Sequence, residues 1–162
     1  MKKVLIVTVS KTGTTDHAAN LIADVIQRQG HEAIHKSLDS VDSFESYDLI
    51  IIGAPINGMM WHPDAKKIIE SKAGELQAKE VALYLMAYML DACRNTWNNK
   101  IHSSLNQIEK MVSPISIGYF KGKIDKPMPA IARFLFGLPK ELPLDRTEDD
   151  AVIQWAETLV SP

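Results

Sequence analysis

Val4-Leu5-Ile6-Val7-Thr8-Val9, followed at once by Ser10-Lys11-Thr12-Gly13-Thr14-Thr15, is the stretch that decides the fold. Its first half is apolar, rich in β-branched residues and too short for a helix, so it reads as a strand buried on both faces. Its second half is small, hydroxylated and broken by one glycine. Immediately after it, Ala18, Ala19, Ile22, Val25 and Ile26 recur at helical spacing up to Gly30, which suits a helix C-terminus. A buried strand, a Gly/Ser/Thr turn and an amphipathic helix make the opening half of a βαβ unit.

Working outward, the same alternation continues. Residues 31–38 form a weaker, polar-interleaved strand candidate, 49–54 and 81–87 are further buried runs, and 115–119 give a last short strand. Pro63 suits the first turn of a helix carrying Ala65, Ile68 and Ile69. Trp97, Ile101, Leu105 and Ile108 mark one more amphipathic helix. Thr147 followed by Asp150 resembles a capping box that opens a final helix striped with Val152, Trp155, Ala156, Leu159 and Val160. The pattern predicts one α/β domain, a parallel sheet with helices on both faces. The three wholly apolar runs belong at its centre. The second and fifth, diluted by charge, histidine and Pro114, belong at its edges, giving the order 2-1-3-4-5.

The 162 residues allow one domain, with 46% hydrophobic and 23% charged residues, as in ordinary globular proteins. A formal charge of −2 provides no field to recruit nucleic acid. Cys93 stands alone, which excludes an internal disulfide and a thiolate metal cluster. The apolar run after Met1-Lys2-Lys3 is too brief for a signal-peptide core, and no run approaches a membrane span, so a cytoplasmic protein is expected. His31 and His35 sit four apart on a predicted strand, where they would not share a ligating helical face. His17 and His62 suit surface or capping roles, and no catalytic acid, base or nucleophile stands out.

In a doubly wound sheet, ligands sit beyond the carboxyl ends of the strands at the switch point. Residues 10–15 lie there, where hydroxyls, a close backbone at Gly13 and the helix N-terminus can hold a phosphate. A plain Ser/Thr helix cap is the competing reading. No G-x-G-x-x-G and no G-x-x-x-x-G-K-[ST] is present, although Gly118-Tyr119-Phe120-Lys121-Gly122-Lys123 faintly resembles the latter. A phospho-receiver domain would need carboxylates where Ser10 and Gly53-Ala54 stand.

Ser10-Lys11-Thr12-Gly13-Thr14-Thr15 resembles the flavodoxin phosphate loop, [S/T]-x-T-G-x-T, at every defined position. The resemblance implies FMN as cofactor and two further loops that clasp its ring. Here these are Pro55-Ile56-Asn57-Gly58-Met59-Met60-Trp61 and the segment beginning Ala87-Tyr88-Met89. Trp61 and Tyr88 are expected to flank the ring, with methionines filling gaps. Burial of Met59, Met60 and Trp61 in the core is the alternative.

Two features depart from electron-carrier flavodoxins, which are strongly acidic. The chain is almost neutral, and it carries a basic and apolar insertion at about 120–146, with Lys121, Lys123, Lys126, Arg133, Ile131 and residues 134–136. The insertion and the start of the last helix look like the flavodoxin-type protoporphyrinogen oxidase branch, which passes electrons to menaquinone. Three functions are therefore carried forward: an FMN electron carrier serving a redox partner protein or quinone; a quinone-linked oxidase of a porphyrinogen-like substrate, touching a membrane through the insertion; and an interaction domain without FMN.

Overall fold

The structure is a computed structural model and describes residues 1–10 and 13–161. The apolar first run is strand β1 (Lys3–Thr8), and the turn after it leads into helix α1 (Thr14–Arg28), which ends where Gly30 takes a left-handed φ of 85°. Strands β2 (Glu32–Ser37) and β3 (Leu49–Asn57) follow, then a two-residue strand β4 (Met60–Trp61). Helix α2 (Pro63–Gln77) starts with proline at its first turn, as expected, and His62 Nδ1 accepts from the Asp64 amide as its cap. Strand β5 (Glu80–Ala87), helices α3 (Asn95–Ser103) and α4 (Asn106–Val112), strand β6 (Ser116–Lys121), and helices α5 (Ala130–Phe136) and α6 (Asp149–Leu159) complete the chain.

Five parallel strands lie in the order β2-β1-β3-β5-β6, the doubly wound order expected from strand composition, with β4 paired antiparallel to β3. Alternation along each strand separates two cores. Val4, Ile6, Leu49, Ile51, Ala82 and Tyr84 face α1 and α6; Leu5, Val7, Ile50, Ile52, Leu83 and Leu85 face α2, α3 and α4. This is the three-layer α/β fold of the flavodoxin type. Each buried leucine or isoleucine contributes roughly 1.5–3 kcal/mol, so sheet and helices hold the switch point rigidly.

Three local expectations are corrected. The helix drawn through Trp97 and Ile108 is two helices, because the Ser103 and Ser104 hydroxyls donate to the carbonyls of Lys100 and Ile101 (3.3 and 2.6 Å) and compete with the helical ladder. The capping box does not form. Thr147 instead turns its amide and hydroxyl onto Asp145, and Glu148 takes the N-cap position without a side-chain cap. Those two bonds hold the Asp145 carboxyl below its ordinary range. Finally, the segment read as a loop after β3 is a tight hairpin. Ile56 pairs with Trp61 and Asn57 with Met60, around a tip where Gly58 and Met59 have φ of 59° and 61°. Two successive positive φ values mark a type I′ turn.

Candidate functional site at the carboxyl edge of the sheet

Gly13 precedes α1 with φ 77°, a conformation that glycine reaches without the penalty an L side chain would meet. Its amide donates to Ser10 Oγ at 3.0 Å, and its carbonyl accepts the first helical bond from the His17 amide at 2.9 Å. The Ser10 side chain thus meets the backbone just ahead of α1. Thr14 and Thr15 are buried in the first turn of α1, where the positive end of the helix dipole suits an anion. Lys11 and Thr12, both assigned to the phosphate loop from sequence, lie outside the described residues.

From this turn a cavity of about 210 Å³ runs along the strand ends. Thr14 and Thr15 form one end of it, Pro55, Ile56 and Asn57 one wall, and Met86, Tyr88, Gly122, Lys123 and Ile124 the other. It meets a second cavity of about 310 Å³, with which it shares Ile56, Tyr88 and Ile124. The second is apolar: Gly58 and Met59 from the hairpin tip, Ala87 and Met89 after β5, Ile101 from α3, and Met128 and Phe136 from the insertion. Among the described residues lining the two cavities, Lys123 is the one formally charged side chain. A larger cleft of about 500 Å³ lies beside Ser10, between Ser37–Asp39 and α2. It includes no residue of either ring loop, so the joined pair is the candidate site.

Most of the residues singled out from sequence meet here. Gly13 borders the loop, and Thr14, Thr15, Pro55, Ile56, Asn57, Gly58, Met59, Ala87, Tyr88 and Met89 line or edge the cavities. Trp61 and Met60 do not, and Ser10 lines the neighbouring cleft instead. Trp61 is 3% exposed, and its indole N–H donates to the carbonyls of Ala54 and Tyr84 at 3.2 and 3.3 Å, so it belongs to the core below the hairpin. Pairing with Ile56 turned it inward, and a buried indole needs an acceptor for its N–H. Met60, its neighbour on a two-residue strand, points the opposite way and is 61% exposed.

The insertion supplies the wall that sequence reading missed. The Gly122 amide donates to Ala87 O, and the Arg146 guanidinium donates to the carbonyls of Tyr88 and Leu90. Tyr88 in turn donates its hydroxyl to Pro143 O at 2.7 Å. Arg94 binds the carbonyls of Phe134 and Phe136, and Trp97 that of Leu135. Residues 122–146 are thus pinned against the ring loop and α3. The Gly122-Lys123 pair, directly after β6 at the carboxyl edge, was the sequence signal for this wall. Cys93 stays outside the site, and burial pushes its thiol above the ordinary range, away from reactivity. Among the described residues there is no cluster able to hold a metal ion, and no helix long and apolar enough to cross a membrane.

An elongated site with an amide-and-hydroxyl end, a short polar passage and an apolar chamber fits a molecule with one anionic end and one flat apolar end. No curated protein sequence matches the chain. Among solved structures, it is similar to a short-chain flavodoxin associated with a non-canonical PDU bacterial microcompartment (12% identity, 99% of this chain and 97% of that one, TM-score 0.64). It is also similar to an NADH:FMN oxidoreductase in its apo form (11% identity, 100% and 92%, TM-score 0.60). A third is a flavoprotein in complex with FMN from Lactobacillus acidophilus (19% identity, 74% and 93%, TM-score 0.53). At these identities the likeness is one of fold. The flavodoxin-domain family model matches residues 5–138, which span β1 through α5 and every wall of the two cavities, and the chain belongs to that family.

Proposed function

We propose that the chain binds FMN and carries electrons between a donor and an acceptor, either a redox partner protein or a quinone. The observation that carries this reading is the chemical asymmetry of the joined cavities: hydroxyl and helix N-terminus at Thr14 and Thr15, apolar and aromatic at Met59, Tyr88 and Met89. When bound, FMN supplies reversible uptake and release of one or two electrons. The chain's own residues do the rest. The first turn of α1 would hold the phosphate, Asn57 and Lys123 would border the polar middle of the ligand, and Met59 and Tyr88 would flank the ring. The insertion gives the chamber an apolar wall through Ile124, Met128 and Phe136. A chamber with low polarity disfavours extra negative charge on its occupant, while Lys123 at its mouth favours it.

A second reading is favoured by one observation. Helix α5 exposes Ile131, Phe134 and Leu135 (80%, 77% and 57%) beside Arg94, Lys100 and Arg133. Such a surface suits an oxidase that takes a porphyrinogen-like substrate and delivers electrons to a quinone at a lipid surface. Ile131, Phe134 and Leu135 line neither cavity, so all three can be replaced by serine without removing a wall of the site. The carrier reading expects this triple variant to keep FMN and to pass electrons to a one-electron acceptor at an unchanged rate. Loss of porphyrinogen oxidation and vesicle binding, with FMN retained, would instead establish the oxidase.

A further inference from the structure

On the α1 face of the sheet, one row runs across four strands: Thr8, Gly53, Tyr84 and Gly118 are register partners in turn. Tyr84 is fully buried and is flanked on both sides by glycine. Neither glycine is incidental. A Cβ on Gly53 would lie 1.9 Å from Cζ of Tyr84, and one on Gly118 would lie 2.7 Å from the Phe120 ring. The ring of Tyr84 therefore lies flat across Gly53, toward α1. Phe120 and Trp155, each with its ring centre 6.0 Å away, hold it from the other side. In that slot the tyrosine hydroxyl reaches the start of α1 and donates to Thr15 O at 2.8 Å.

That carbonyl belongs to the peptide whose N–H is Asp16's, in the first turn of α1. A bond accepted at the carbonyl fixes the plane of the peptide and polarises it, so its N–H becomes a stronger and better aimed donor. Burial suits this role, because a hydroxyl shielded from water has no competing partner and loses no strength to solvent. Tyr84 lines neither cavity and touches neither ring loop with its side chain, so its effect passes through the phosphate end alone.

We propose that Tyr84 is a positioning residue for the first turn of α1, setting it from beneath and so giving the site its preference for phosphorylated over unphosphorylated flavin. The proposal rests on the FMN reading above and deepens it. Gly53 and Gly118 are part of the same device: the first leaves the room in which the ring lies, and the second leaves room for Phe120 and Trp155, which hold it.

The test compares FMN with riboflavin, which has the same ring and ribityl chain but no phosphate, by quenching of flavin fluorescence in wild type and Tyr84→Phe. The expected result is a roughly tenfold loss of FMN affinity in the variant, riboflavin affinity unchanged within about twofold, and a shifted ³¹P resonance of bound FMN. A tyrosine that served only the core would weaken both ligands alike or neither, and either result overturns the proposal. If Tyr84→Phe does not fold, Tyr84→Leu, which also lacks the hydroxyl, must show the same selective loss. Wild-type protein that binds neither flavin fails the FMN reading itself, and the positioning role falls with it. Wild-type binding with an unaltered FMN-to-riboflavin ratio in the variant overturns the positioning role alone.

Discussion

Gly53 shows how one residue can be fixed by its neighbour in the sheet rather than by its own backbone. A methyl group there would overlap the Tyr84 ring, and Tyr84 cannot retreat because Phe120 and Trp155 stand behind it. Gly53→Ala is therefore expected to cost about 3 kcal/mol by overpacking, measured by urea unfolding. In a Tyr84→Leu background the same substitution should cost less than about 1 kcal/mol, because the clash is gone. At this scale the sequence was legible where chemistry is local. Gly13 advertises its conformation through residue type alone, whereas Met59, the second positive-φ residue of the hairpin tip, does not. Trp61 was not legible. A tryptophan just past a strand reads equally well as a ring partner or as core, and only the hairpin pairing with Ile56 decides which face it takes. Tyr84 was read merely as part of a buried strand, since nothing in a strand pattern shows where a hydroxyl ends.

At the scale of elements, the strands and their order followed from composition because burial on two faces demands continuous apolar runs. Breaks and caps were harder. Ser103 and Ser104 interrupt a helix whose apolar spacing is otherwise unbroken, and Asp145 takes the Thr147 hydroxyl that a capping box would have used. The insertion was least legible, because its shape depends on charged donors reaching carbonyls far along the chain. Arg146 is the chief of these, holding Tyr88 O and Leu90 O, with its guanidinium 5.9 Å from the Tyr88 ring centre. Removing it leaves two half-buried carbonyls without their charged donor. Arg146→Ala is expected to lower stability by about 2–3 kcal/mol, and to open residues 122–146 to limited proteolysis while the sheet stays protected from hydrogen exchange. Cleavage no faster than in wild type would mean that Arg94 and Trp97 hold the insertion unaided.

At the scale of the molecule, the site has no single owner. Its walls come from the first turn of α1, the β3–β4 hairpin, the segment after β5, α3 and the insertion, so it exists only once the sheet has brought all five together. A formal charge of −2 leaves recognition of partners to short-range contacts rather than to long-range steering. The exposed apolar face of α5 is where such contacts would be made in either functional reading. Both readings depend on one prior fact, that the joined cavities hold FMN. The most direct measurement is a titration of the purified, flavin-free protein into FMN, followed by flavin fluorescence and visible absorption. The account predicts quenching and resolved, shifted flavin bands, with a dissociation constant at or below about 1 μM. Unaltered FMN fluorescence in the presence of about 100 μM protein would contradict it, and would leave the turn at Gly13 as a helix start without a ligand.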